Sequence, residues 1–194
     1  MVHFTQINLQ HNKSATAVIC KQITNLMTSV VLIQKPWINK HKILGLRSKD
    51  STLFCGCNED VPRTCVITKG DGSYGLPQFG SKDQTAVCIN LKNSHKEYTI
   101  VVASIYMPTD STPPAPATKG LIQYCNHNKL PLIIGCDTTR QIKDPKHPLH
   151  CLLRPVKVSH SQMVLRPTYP YQIPLAKTSR RGRDFVPYCI SMKF

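Results

Sequence analysis

The sequence predicts an α/β fold, and three observations carry that prediction. Two apolar runs of strand length, Tyr98–Ser104 and Leu130–Cys136, flank a short helical segment at Lys119–Asn128. Each run is continuously apolar rather than alternating, the pattern of strands covered on both faces. A second strand, helix and strand open the chain, and such a unit implies a crossover between parallel strands. In open α/β sheets, chemistry sits where strands stop and loops begin. The first apolar run leads to Tyr106 and the second to Asp137, so both are candidate site residues.

The opening strand is Phe4–Gln10, where polar and apolar residues alternate before the polar cluster Asn8–Asn12. Ser14 is placed to cap a helix from Ala15 to about Met27, with Ala15, Val18, Ile19, Ile23 and Leu26 at helical spacing. Val30–Gln34 is the next strand. Lys35-Pro36-Trp37 ends it, because proline lacks an N–H and fixes its own φ. Asp50–Arg63 carries turn formers (Gly56, Asn58, Asp60, Pro62), and Thr64–Thr68 is a strand. Gly70–Pro77 reads as a turn, since its glycines do not lead from a strand into a helix in the phosphate-cradling way. Thr85–Leu91 and Tyr98–Ser104 flank a hairpin connection at Lys92–Glu97, and Pro108–Pro116 is an extended loop. Past Gln141 the character changes. Residues 142–177 hold six prolines (Pro145, Pro148, Pro155, Pro167, Pro170, Pro174) and no helical or strand period. So long a loop is unusual in a compact domain and reads as a lid, a disordered insert or a broken reading frame. Phe185–Ile190 then ends the chain before another clear element forms.

The length suits one domain with ample core. Lys and Arg outnumber Asp and Glu by 25 to 10, a net charge of +15, and a basic surface suggests a polyanionic partner, most often nucleic acid. The basic residues are dispersed, apart from Lys35, Lys40, Lys42 and the tail Arg180, Arg181, Arg183. The nine cysteines lie mostly in apolar runs (Cys20, Cys65, Cys88, Cys125, Cys136), which predicts buried free thiols without disulfide partners in a reducing compartment. Cys55-Gly-Cys57 is too tight for a zinc knuckle, and His147-Pro-Leu-His150-Cys151 lacks a second pair at structural spacing. Met1–Gln10 has neither the basic start nor the apolar core of a signal peptide, and no run reaches the ~18 apolar residues of a membrane span. The expectation is a soluble intracellular protein, nuclear or cytoplasmic, of open oligomeric state.

Five segments carry a family resemblance: Gln6-Ile-Asn8-Leu-Gln-His11, Leu32-Ile-Gln-Lys35-Pro-Trp37, Pro62-Arg-Thr-Cys65, Val102-Ala-Ser-Ile-Tyr106-Met-Pro108 and Leu130-Pro-Leu-Ile-Ile-Gly-Cys-Asp137. In order and spacing they resemble the endonuclease domain of jockey-type non-LTR retrotransposons, in the endonuclease/exonuclease/phosphatase superfamily. The resemblance implies an incomplete two-sheet α/β sandwich with helices outside. It divides the chain into the N-terminal part of that domain (1–141), a proline-rich irregular insert (142–177) and a remnant of the following helix (178–194) near Arg180-Arg-Gly182. It implies a Mg²⁺-dependent phosphodiester hydrolase that nicks DNA to prime reverse transcription. A hard divalent ion would neutralise the phosphate, and a carboxylate would orient or deprotonate the attacking water. By resemblance, Asn8 arranges metal and phosphate, Tyr106 contacts the phosphate and Asp137 handles the water. Asn8 and Asp137 are then the metal residues that remain.

Three departures weigh against cleavage. Lys35 stands where the family has its metal-binding glutamate, and Thr139 stands where it has the second residue of an Asp-x-Asn pair. The family's closing Asp-His pair has no counterpart, since Ser159-His160 lacks the aspartate. An ammonium has no lone pair to give a metal. At ~4 Å and an effective dielectric near 20, a +1/+2 pair repels by roughly 8 kcal/mol before relaxation. The expectation is therefore a pseudoenzyme that holds Mg²⁺ poorly and cleaves weakly or not at all. Two alternatives stand beside it. One is a non-catalytic basic nucleic-acid-binding module in which Lys35 grips a phosphate as a point charge. The other is a non-functional relic whose strands lack partners and leave open edges.

Overall fold

The computed structural model describes residues 2–25, 29–57, 61–70, 72–93, 96–108, 115–138, 154–155, 161–166 and 188–192. β1 (Val2–Asn8) leads through helix α1 (Lys13–Thr24) into β2 (Ser29–Gln34), which lies parallel beside it. β3 (Ile38–Asn39) and β4 (Lys42–Ile43) form a small hairpin. Its turn residues, Lys40 and His41, have φ of 47° and 63°, the left-handed pair whose twist matches the flanking strands. β5 (Ser51–Cys55) and β6 (Thr64–Lys69) follow, and β6 pairs antiparallel with both β2 and β5. Then come β7 (Ser73–Gly75), the 3₁₀ turn η1 (Pro77–Phe79) and the hairpin of β8 (Gln84–Asn93) and β9 (Lys96–Met107). Helix α2 (Pro116–His127) carries the chain over to β10 (Leu132–Thr138), parallel to β9. β11 (Arg154–Pro155), β12 (Ser161–Arg166) and β13 (Tyr188–Met192) complete the strands. The strand orders are β13-β1-β2-β6-β5 and β11-β12-β10-β9-β8-β7. Among the described residues no helix is long and apolar enough to cross a membrane.

Alternation along each strand explains why the apolar runs are continuous. Val30 and Leu32 face the second sheet and pack with Phe4, Val66, Val87, Val102 and Ile133. Val31 and Ile33 face the other way and meet Ala15, Ile19 and Ile23 of α1. On the far side, Val101, Ala103, Ile105 and Ile134 meet Leu121, Ile122 and Cys125 of α2. The result is helix, sheet, sheet and helix in layers. This is the two-sheet α/β sandwich with outer helices that the sequence led us to expect. Each side chain fully buried in these layers contributes about 1.5–3 kcal/mol.

Several local expectations are revised. The cap of α1 is Asn12 rather than Ser14, for the Asn12 side chain accepts from the Ala15 N–H at 3.0 Å. Asp50–Arg63 is not all turn, because Ser51–Cys55 finds a partner in β6. Gly70–Pro77 likewise contains β7, paired on the edge of β8. Inside 142–177 the proline-free stretch 161–166 is a strand on β10. Near the C-terminus, 188–192 is a strand antiparallel to β1. The helix expected near Arg180 lies outside the described residues. β1 and β10, the strands that would have been open edges, therefore each gain a neighbour. Of the thiols expected to be buried, Cys65, Cys88, Cys125 and Cys136 are, whereas Cys20 is partly exposed. Burial pushes the Cys125 thiol up to about 12 and the Cys65 thiol well above its usual range, so both are structural rather than nucleophilic.

Candidate functional site

The two parallel pairs end at the same edge of the sandwich. Asn8 closes β1 and stands opposite Gln34, the last residue of β2. Tyr106, near the end of β9, stands opposite Asp137 of β10. Lys35 follows β2 directly, and its ammonium lies 4.9 Å from the centroid of the Tyr106 ring. Asn8, Lys35, Tyr106 and the Asp137 backbone are thus brought to one edge. The Asp137 side chain and Thr139 lie outside the described residues.

Lys35 is held by its backbone. It sits at φ 47°, its N–H donates to Arg63 O at 2.8 Å, and its carbonyl accepts from the His11 N–H at 2.8 Å. The left-handed region costs a non-glycine residue about 1–2 kcal/mol, which these flanking bonds offset. His11 Nδ1 lies a further 2.8 Å from Pro36 O, so the loops after β1 and β2 are stitched together. At the chain's other approach to the site, the Asn8 side chain accepts from the Gln10 N–H at 2.9 Å.

Arg63 and Asp83 also reach this edge, though the sequence did not mark them as candidate site residues. The Arg63 guanidinium carbon lies 5.1 Å from the same Tyr106 centroid. Its fork engages the Asp83 carboxylate through Nε–Oδ1 and through Nη2–Oδ2 at 2.6 Å. The Asp83 carbonyl in turn accepts from the Tyr106 N–H at 2.9 Å. Arg63 carried a signal, since Pro62-Arg-Thr-Cys65 belongs to the resembling set. Asp83 carried none, for it sits in an ordinary polar turn.

Beneath the edge lies a polar cluster buried between the sheets. Gln34 Nε2 donates to Ser104 Oγ and to Gly135 O, both at 3.0 Å. Gln6 Nε2 donates to Cys136 O at 3.1 Å and approaches Gln34 Oε1 at 3.2 Å. Ser104 Oγ donates to Ile33 O at 2.7 Å. These bonds join β1, β2, β9 and β10 below the site. Gln6 Oε1 has no partner among the described residues, but the bonds that are made fix one register between sheets that apolar contacts alone would let slide.

No protein-family model and no curated protein matches this chain. Solved structures do. The endonuclease domain of TRAS1, a telomere-specific non-LTR retrotransposon, superposes with a TM-score of 0.57 at 17% identity, covering 85% of each chain. Humanized D. rerio TDP2 gives 0.56 at 11% identity, over 87% of this chain and 85% of that one. The human Nocturnin catalytic domain with bound sulfate gives 0.53 at 12%, over 84% and 81%. This chain has the endonuclease/exonuclease/phosphatase fold.

Whether this copy of the endonuclease/exonuclease/phosphatase fold fits Mg²⁺ is a question of donors. Mg²⁺ asks for near-octahedral oxygen ligands. Among the described residues, no group of three His, Cys, Asp or Glu side chains is close enough to hold a metal ion. Asp83, the carboxylate nearest in the network, is taken by Arg63. Lys35 and Arg63 both bring positive charge to Tyr106. A hard divalent cation at this edge would draw on the Asp137 carboxylate, which lies outside the described residues, and would meet the positive charge of Lys35 and Arg63.

Proposed function

We propose that this chain is an endonuclease domain of the jockey-type retrotransposon kind whose Mg²⁺-dependent phosphodiester cleavage is lost. The observation that carries the reading is the Lys35 ammonium 4.9 Å from the Tyr106 ring, where the family resemblance calls for a metal-binding glutamate. The substrate class is DNA. A DNA partner is supported by the net charge of +15 and by the shared fold with the TRAS1 endonuclease domain and with TDP2, one structure of which holds a single-strand DNA product. Asn8, Tyr106 and Asp137 are the remnants of the site, with Lys35 and Thr139 its altered positions.

Loss of cleavage follows from charge. A metal at this edge would meet an ammonium and lack its glutamate, and a phosphoryl transition state would lose its main electrostatic support. Purified protein incubated with supercoiled plasmid and Mg²⁺ is expected to nick no faster than Asp137→Ala. Robust nicking that Asp137→Ala abolishes sinks the reading. The double variant Lys35→Glu with Thr139→Asn is expected to gain Mg²⁺-dependent nicking if those two positions alone hold the defect.

A further inference from the structure

We propose that Lys35 acts as a tethered cation in the metal's place and, with Arg63 and Tyr106, forms a metal-independent seat for one phosphodiester of a DNA backbone. The proposal rests on the functional reading above and goes beyond it, from what the edge has lost to what it now holds.

Three observations carry it. First, the Lys35 main chain is fixed on both sides, through Arg63 O and the His11 N–H at 2.8 Å each, so the side chain starts from an anchored strand end. Second, the Lys35 ammonium and the Arg63 guanidinium approach the same Tyr106 ring, at 4.9 and 5.1 Å from its centroid. The ring's negative face accommodates cations, but each cation repels the other, and an anion between them relieves both. Third, the described side-chain charges at this edge are unequal. Arg63 is matched by Asp83, whereas among the described side chains no carboxylate pairs with Lys35. Arg63 spends Nε and Nη2 on Asp83, and a guanidinium carries further N–H donors for a phosphate oxygen. The ammonium would then supply, without metal, the charge neutralisation that Mg²⁺ supplies elsewhere.

The test is binding of a short fluorescein-labelled DNA duplex in EDTA, read by anisotropy over graded salt. The full chain is expected to bind without divalent metal. Lys35→Ala and Lys35→Gly are each expected to weaken binding about tenfold, the loss of one good charged contact, and to lower the salt slope by about one. Glycine adopts the left-handed φ of this position freely, so Lys35→Gly deletes the cation while keeping the fold, which circular dichroism verifies. Lys21→Ala, exposed on α1 away from this edge, controls for general surface charge and is expected to change binding less than twofold. Lys35→Glu is expected to abolish binding in EDTA. The proposal is overturned by absence of wild-type binding in EDTA, by a Lys35→Gly variant that binds like wild type, or by losses no larger than that of Lys21→Ala. Failure of the two claims is separable. Plasmid nicking with Mg²⁺ overturns the loss of cleavage, whereas the EDTA arm alone decides the seat.

Discussion

Gly135 shows how closely the two sheets meet beneath the candidate site. A Cβ there would lie 2.8 Å from Leu32 Cδ1 and 2.9 Å from Gln6 Cγ, both on the opposing sheet. Those neighbours are fully buried, and Gln6 is held by its bond to Cys136 O, so neither can retreat. Gly135→Ala is therefore expected to destabilise the protein by about 1–3 kcal/mol, measured by urea unfolding, with loss of the Gln6 and Gln34 register. An unchanged midpoint would mean that the sheets separate easily here, and the fixed geometry argued for Lys35 and Tyr106 would lose its foundation. Lys35 is the complementary case. It sits at φ 47° and lays its ammonium over the Tyr106 ring, a backbone cost borne for a surface contact rather than for the core.

At the scale of elements, α1 tests how a helix start is chosen. Ser14 and Asn12 are both good capping types, and sequence alone favoured the serine. The choice fell to Asn12 because the loop after β1 is tied to Lys35 O and Leu9 O, which fixes the chain direction two residues earlier. Thr16 Oγ1 adds a bond to Asn12 O at 2.9 Å. Asn12→Ala is expected to cost ~1 kcal/mol in urea unfolding, and Ser14→Ala to cost within ~0.5 kcal/mol of nothing. The reverse ranking contradicts the cap assignment. Strands β5, β7, β12 and β13 teach the same lesson from the other side. Each is short or flanked by turn formers, and each exists by pairing with a longer strand.

For the whole molecule, the question is whether the layers close. β13 covers β1, and β12 covers β10, so the strands that bear the site are interior to their sheets. A chain ending at residue 187 removes β13 and bares the backbone of β1. Such a chain is expected to show a lower, broader thermal transition and concentration-dependent aggregation by light scattering, because an uncovered strand templates further pairing. Equal cooperativity and solubility would show that β13 adds nothing to the fold.

The sequence by itself determined the layered α/β architecture. Strands buried on both faces must be apolar at every position, and helices with one buried face must repeat at helical spacing; Val30–Ile33, Val101–Ala103 and Leu132–Ile134 announce the first pattern. It also placed Asn8, Lys35, Tyr106 and Asp137 as strand-end residues, because their segments stop where the apolar runs stop. Only the tertiary structure decided which short segments become strands, and which side chains join Tyr106. Pairing partners such as β6 for Ser51–Cys55 lie beyond any local window. Lys35 and Arg63 from one sheet meet Tyr106 of the other, and Asp83, from a turn that carries no mark of it, pairs with Arg63. Local pattern reports burial, which each residue experiences directly; the charge balance of a site is a property of distant groups brought together by folding.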